Sequence, residues 1–333
     1  MKKSFTTIIL AGYCSFQTFA ADPERNISGT ERVAAPENLG SAATVEDGQA
    51  SGAAVAAPGS DSGAQRPIRM KKTGASTYFG YQSKYFYRSN AIMASGPLSD
   101  NKSGMWTNTF FAGLGLGAHD IGDSVITPYF GASWTINDFL KGTYGDLNYN
   151  TTGAYGMLMA QYANGWSSRL GVNYFSDVQT NIDKQTYAEY NPNIGLMKVH
   201  SLGSGTLAIL DLSAGYHSTD SDSVVTATGT SITDALDSWE IAAKLGLNKR
   251  FGPVKATPAY RVSYKKYSNG DNDGRSDVTQ NVGVDFDWSI GKGVSIKLGT
   301  NYSNRSSSGG QVTNKFDFKN LDGGGGLSIN ARF

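Results

Sequence analysis

The chain has 333 residues, 39% of them hydrophobic, with 29 Lys+Arg against 28 Asp+Glu, 41 glycines, 18 tyrosines and one cysteine. A mean hydropathy of −0.33, with no apolar run of roughly 18 residues beyond the first twenty, excludes a helical membrane protein. A formal net charge of +1 gives no basic excess for binding nucleic acid, and 11% aromatic residues can bury too much surface for a wholly disordered chain.

Met1-Lys2-Lys3, the moderately apolar stretch from Ile8 to Phe19 and the small residues around Ala20 read together as a secretory signal peptide over residues 1–20. Its removal takes Cys14 with it, leaving neither disulfide nor thiol chemistry in the exported protein. Residues 21–73 are rich in Ala, Gly, Ser and Pro and nearly devoid of large apolar side chains. They are expected to form a disordered periplasmic tail.

From Gly74 the dominant signal has period two, which in a strand sends alternate side chains to opposite faces. Between Thr77 and Arg88 the odd positions carry Phe79, Tyr81, Tyr85 and Tyr87, and the even ones Gln82, Lys84 and Arg88. The same alternation recurs from Trp106 to Leu116, Trp166 to Tyr174, Ala208 to Tyr216, Val254 to Tyr264, Val278 to Trp288, Val294 to Tyr302 and Leu327 to Phe333. Connections alternate between short, as at Asn164-Gly165 and Gly252-Pro253, and long and polar, as from Ser218 to Leu236. Tight turns on one rim and long loops on the other predict an all-β fold over residues 74–333, an antiparallel up-and-down transmembrane β-barrel of about twelve strands.

The tryptophans separate this fold from a soluble β-sandwich, in which large apolar residues concentrate at mid-strand. Trp106, Trp134, Trp166, Trp239 and Trp288 all fall on the apolar parity, within about three residues of an expected strand end. That places them as membrane-interface aromatics, Trp106, Trp134 and Trp239 at the long-loop end, Trp166 and Trp288 at the turn end. The chain closes on Leu327-Ser328-Ile329-Asn330-Ala331-Arg332-Phe333, an alternating strand ending in an aromatic residue. This resembles the C-terminal assembly signal, here Phe333, of Gram-negative outer-membrane β-barrels of the porin-like superfamily. The resemblance implies a bacterial outer-membrane location, outer-membrane lipids and lipopolysaccharide around the wall, and barrel-assembly machinery that reads the last strand.

Three features fit less well. Pro128, Pro192 and Pro258 fall inside expected strands, where a missing N–H breaks the ladder. Ser231 to Phe251 also reads as an amphipathic helix, but Trp239, Ile241, Ala243, Leu245 and Leu247 alternate without a fault, so a strand is expected. The segment from Tyr187 to Val199 has the weakest alternation.

Signals for an enzyme are thin. His119 and His200 are expected at the turn rim and His217 at the loop rim, with no nucleophile converging on them. His217-Ser218-Thr219-Asp220 reads as loop, because catalytic triads assemble from separate chain segments. Asn269 to Gly274 begins like a calcium loop, but Gln280 at the twelfth position cannot give a bidentate carboxylate. No catalytic residue, metal ligand or cofactor is assigned.

The inward parity carries more cations than carboxylates. Arg169, Asp211, Lys244, Arg261, Asp285 and Lys297 are the candidate pore-lining residues, the last five expected at one depth on five successive strands. The functional expectation is a passive diffusion channel for small solutes with a mild anion preference. A translocator similar to the autotransporter β-domain, or a structural or adhesive barrel, stands as the alternative.

Overall fold

The computed structural model describes residues 75–91, 102–122, 124–203, 205–221, 234, 236–291, 293–309 and 317–332. The expected signal peptide, the 21–73 tail and Phe333 lie outside the described residues. The strands are β1 (Ser76–Arg88), β2 (Ser103–Gly115), β3 (His119–Ile121), β4 (Ser124–Phe139), β5 (Tyr149–Tyr162), β6 (Trp166–Gln179) and β7 (Lys184–Gly203). They continue as β8 (Thr206–Ser221), β9 (Ser238–Phe251), β10 (Val254–Tyr267), β11 (Ser276–Gly291), β12 (Val294–Ser308) and β13 (Phe318–Arg332). Each long strand pairs antiparallel with its sequence neighbours, β2 pairs with β4, and β1 pairs with β13. Twelve strands thereby close a barrel, and the three-residue β3 rides on β4 where the sequence suggested only a short connection.

Alternation along each strand produces the wall. Phe79, Phe110, Trp239 and Ile241 point outward and are exposed, whereas Thr109, Asn137 and Ser303 point inward and are buried. A closed barrel with an apolar outer face and a polar interior is the arrangement a bilayer demands, because all backbone groups pair within the ring. The long strands exceed the ~9–11 residues needed to cross the membrane. The protein is a transmembrane β-barrel of the bacterial outer-membrane type.

Turns at one rim depend on glycine. Gly165 (φ 76°) and Gly252 (φ 59°) adopt the left-handed conformation that closes a tight hairpin. The prolines lie inside strands without ending them. The β7–β8 register lapses between Tyr190↔Ser218 and Asn193↔Gly215, and the β9–β10 register lapses around Pro258, while Val172↔Pro192 and Pro258↔Val284 run through on the opposite edges. A proline lacks one N–H, so it costs pairing on one edge only. The helical alternative fails, since Ser238–Phe251 is strand β9, and the weakly alternating segment lies in β7, the longest strand at 20 residues.

The barrel's core lies inside its long-loop end. Phe86, Ala91, Met105, Phe139 and Tyr149 pack together there, and Tyr187, Leu236 and Tyr267 form a second buried cluster.

Candidate functional site

Inward side chains of β6 to β13 and β1 assemble a charged lumen. On β6, Arg169 crosses β7 to reach Asp211 on β8, with Nη1 to Oδ2 at 3.0 Å and Nη2 to Oδ1 at 3.1 Å. Gly195 on β7 makes that crossing possible, because a Cβ there would sit 2.6 Å from Arg169 Nε. The row continues by register as Asp211↔Lys244 and Lys244↔Arg261.

Beyond Arg261 the expected order breaks. Arg261 faces Asn281, and Asp285 instead pairs with Thr257 and Gly299. The strands β10 and β11 are joined at the long-loop rim, where local sequence does not fix which residues oppose each other. The alignment of five charges at one depth is therefore corrected to a three-residue row and a separate lysine group. In that group Lys255 and Lys297 both oppose Asp287, two residues from Asp285 on β11. Lys297 and Lys84 flank Gly326 in one row, Lys297↔Gly326↔Lys84, and Lys297 Nζ lies 3.6 Å from Asp287 Oδ2. Gly324 and Gly326 let β1 pack closely against β13 on this part of the lumen wall. A Cβ on Gly326 would meet the Ser83 carbonyl at 2.1 Å and Lys84 Cγ at 2.8 Å.

Higher in the lumen a second chain of charge runs across four strands. Arg261 Nη2 donates to Glu240 Oε1 (2.8 Å), His217 Nε2 meets Glu240 Oε2 (3.1 Å), and His217 Nδ1 meets Glu189 Oε1 (3.0 Å). The Tyr187 hydroxyl donates to Glu189 Oε2. His217, read from sequence as loop, is thus an inward residue of β8 held between two carboxylates. Glu189 and this use of His217 escaped the sequence reading, although the inward parity of Glu240 and Arg261 was visible. The segment between β8 and β9 hides their register. His119 and His200 are exposed near the turn rim.

At the long-loop end the charges are buried and paired, with two guanidiniums sharing one carboxylate. Asp277 accepts from Arg275 Nη2 (2.6 Å), Arg305 Nη1 (3.2 Å) and the Tyr267 hydroxyl (3.2 Å), and Arg88 Nε donates to Asp322 (3.0 Å). Asn272, within the calcium-like stretch, accepts from Arg275 Nη1 at 3.1 Å. Asp277, Asp322 and Glu189 point inward and outnumber the added Arg305, which makes the overall cation excess smaller than the sequence suggested. The remaining excess lies toward the turns.

The tryptophans lie on the outer face, with Trp106, Trp239 and Trp288 near strand ends and Trp166 opening β6 under Lys198, whose Nζ is 5.4 Å from the ring centroid. Trp134 differs from expectation: it lies five residues inside the end of β4 and stacks on Phe110 at 6.0 Å. The strand continues past it because β4 extends beyond the apolar band to Phe139.

No family model and no curated protein matches the chain. Among solved structures, an outer-membrane channel from Pseudomonas putida F1 is similar at 11% identity and TM-score 0.47, over 78% of this chain and 96% of that one. The β-domain of the Bordetella autotransporter BrkA aligns at 12% identity and TM-score 0.40 over 77% and 99%. The KdgM porin in complex with disordered oligogalacturonate aligns at 11% and 0.39 over 75% and 98%. Likeness at this level carries no inference about activity.

Proposed function

We propose that the protein is a passive diffusion channel of the outer membrane for small solutes, with a mild anion preference set in the turn-end half of the lumen. The observation that carries this reading is the register row Lys255↔Asp287↔Lys297↔Gly326↔Lys84, which brings three lysines together on the lumen wall. Lysines lining a passage with low-dielectric walls raise the local anion concentration. A ring of twelve strands has roughly 24 Å between opposite backbones, which leaves room for small solutes once inward side chains are placed. The candidate pore-lining set is Arg169, Asp211, Lys244, Arg261, Asp285 and Lys297, joined by Lys84 and Lys255. On the outside, the tryptophans meet lipid headgroups and lipopolysaccharide, and β13 is the strand offered to the assembly machinery.

The test is planar-bilayer conductance of the reconstituted protein, with reversal potentials taken across a salt gradient. Discrete anion-selective steps are expected, and Lys84→Glu combined with Lys297→Glu is expected to turn the selectivity toward cations. The packed long-loop end favours one competing reading, a structural barrel. A folded but electrically silent protein would replace the channel reading with that one.

A further inference from the structure

The charged arc occupies only part of the lumen circumference. Toward the turn end, apart from Lys84, the inward positions of β1, β2, β4 and β5 are neutral among the described residues, and four of them are the aromatic residues Tyr78, Phe111, Tyr129 and Tyr155. Each ring lies across a glycine. The volume that a Cβ of Gly113 would need holds Tyr78 Cζ at 2.1 Å, that of Gly80 holds Phe111 Cζ at 2.1 Å, and that of Gly131 holds Tyr155 Cε1 at 2.3 Å. Tyr129 covers Gly115 at 3.2 Å. The Tyr78 and Tyr155 hydroxyls meet at 2.5 Å and tie the ends of the patch together.

Tyr78 is buried, tilted 53° to Phe111 at 6.4 Å, while Phe111, Tyr129 and Tyr155 are partly exposed and offer ring surface to the lumen. Because the sheet closes through β1–β13 and β2–β4, this patch and the Arg169 to Lys297 arc line one lumen. A solute in the turn-end half therefore meets stacking surface on one side and cationic side chains on the other. Small inorganic anions can use only the second.

We infer that the turn-end lumen is a binding site for ring-bearing carboxylates, anions with a flat or CH-rich ring face, stacked on Phe111, Tyr129 and Tyr155 with the carboxylate held by the lysine arc. This rests on the channel reading and names the solute class that the channel selects. A planar aromatic acid and a sugar acid share this chemistry, and separate probes distinguish them.

The experiment measures block of the chloride current of the full protein in planar bilayers by benzoate, glucuronate and acetate. Benzoate or glucuronate is expected to block at about tenfold lower concentration than acetate, the equivalent of one good ring contact. Which of the two blocks better identifies the source. Tyr155→Leu is expected to abolish the difference while Tyr155→Phe keeps it, with correct folding of both checked by heat-modifiable gel migration. Equal block by all three acids in a conducting protein overturns this inference and leaves the channel reading standing. If no conductance appears at all, both fall.

Discussion

The two halves of the lumen use charge in different ways. At the long-loop end Arg275, Arg305 and Tyr267 converge on the single carboxylate of Asp277, Arg88 meets Asp322, and aromatic clusters fill the space between them. At the turn end Lys255, Lys297 and Lys84 share one register row with Asp287 and Gly326. An uncompensated ion in a dry interior costs several kcal/mol, a cost that is smaller for the partly exposed Lys297 and Asp287 of the turn end. The lumen thus divides into an end that holds the barrel together and an end that can act on solutes.

Substitutions on either side of that division should separate stability from selectivity. The largest expected effect is that of Asp277→Ala, which leaves Arg275 and Arg305 buried without their shared carboxylate. It should cost about 3–5 kcal/mol in urea unfolding from lipid vesicles, with the ion selectivity of the folded fraction unchanged. Gly195→Val places side-chain atoms where the Arg169 guanidinium crosses β7. It should cost about 1–3 kcal/mol by overpacking, and it should also shift the reversal potential as Arg169 leaves Asp211. Smallest in stability is Lys84→Ala combined with Lys297→Ala, expected to change unfolding by less than about 1 kcal/mol while lowering anion preference. A large loss of stability in that double variant, or a selectivity change in Asp277→Ala, would erase the distinction between the two ends.

Much of the wall was legible residue by residue. The odd aromatic residues of β1 already face outward in the sequence pattern, and Asn164-Gly165 and Gly252-Pro253 mark hairpins that the chain does make. The hairpin register through Gly252-Pro253 correctly brought Lys244 opposite Arg261. The same reasoning failed between Arg261 and Asp285, which are joined across a long loop, and it left His217 at a rim although two carboxylates hold it inside. Gly195 carried no signal in its own neighbourhood, since its role is to make way for a side chain from the next strand.

The sequence by itself determined which residues face lipid and which face the lumen, where the tight turns fall, and that the lumen would be rich in charge. Those follow from the two-residue pleat and from glycine conformations, which are local properties of the chain. Only the tertiary structure decided which inward charges meet, which end they neutralise, and where rings seat on glycines. Register across long loops and closure of β1 on β13 are set by packing around the whole ring, so no short stretch of sequence encodes them.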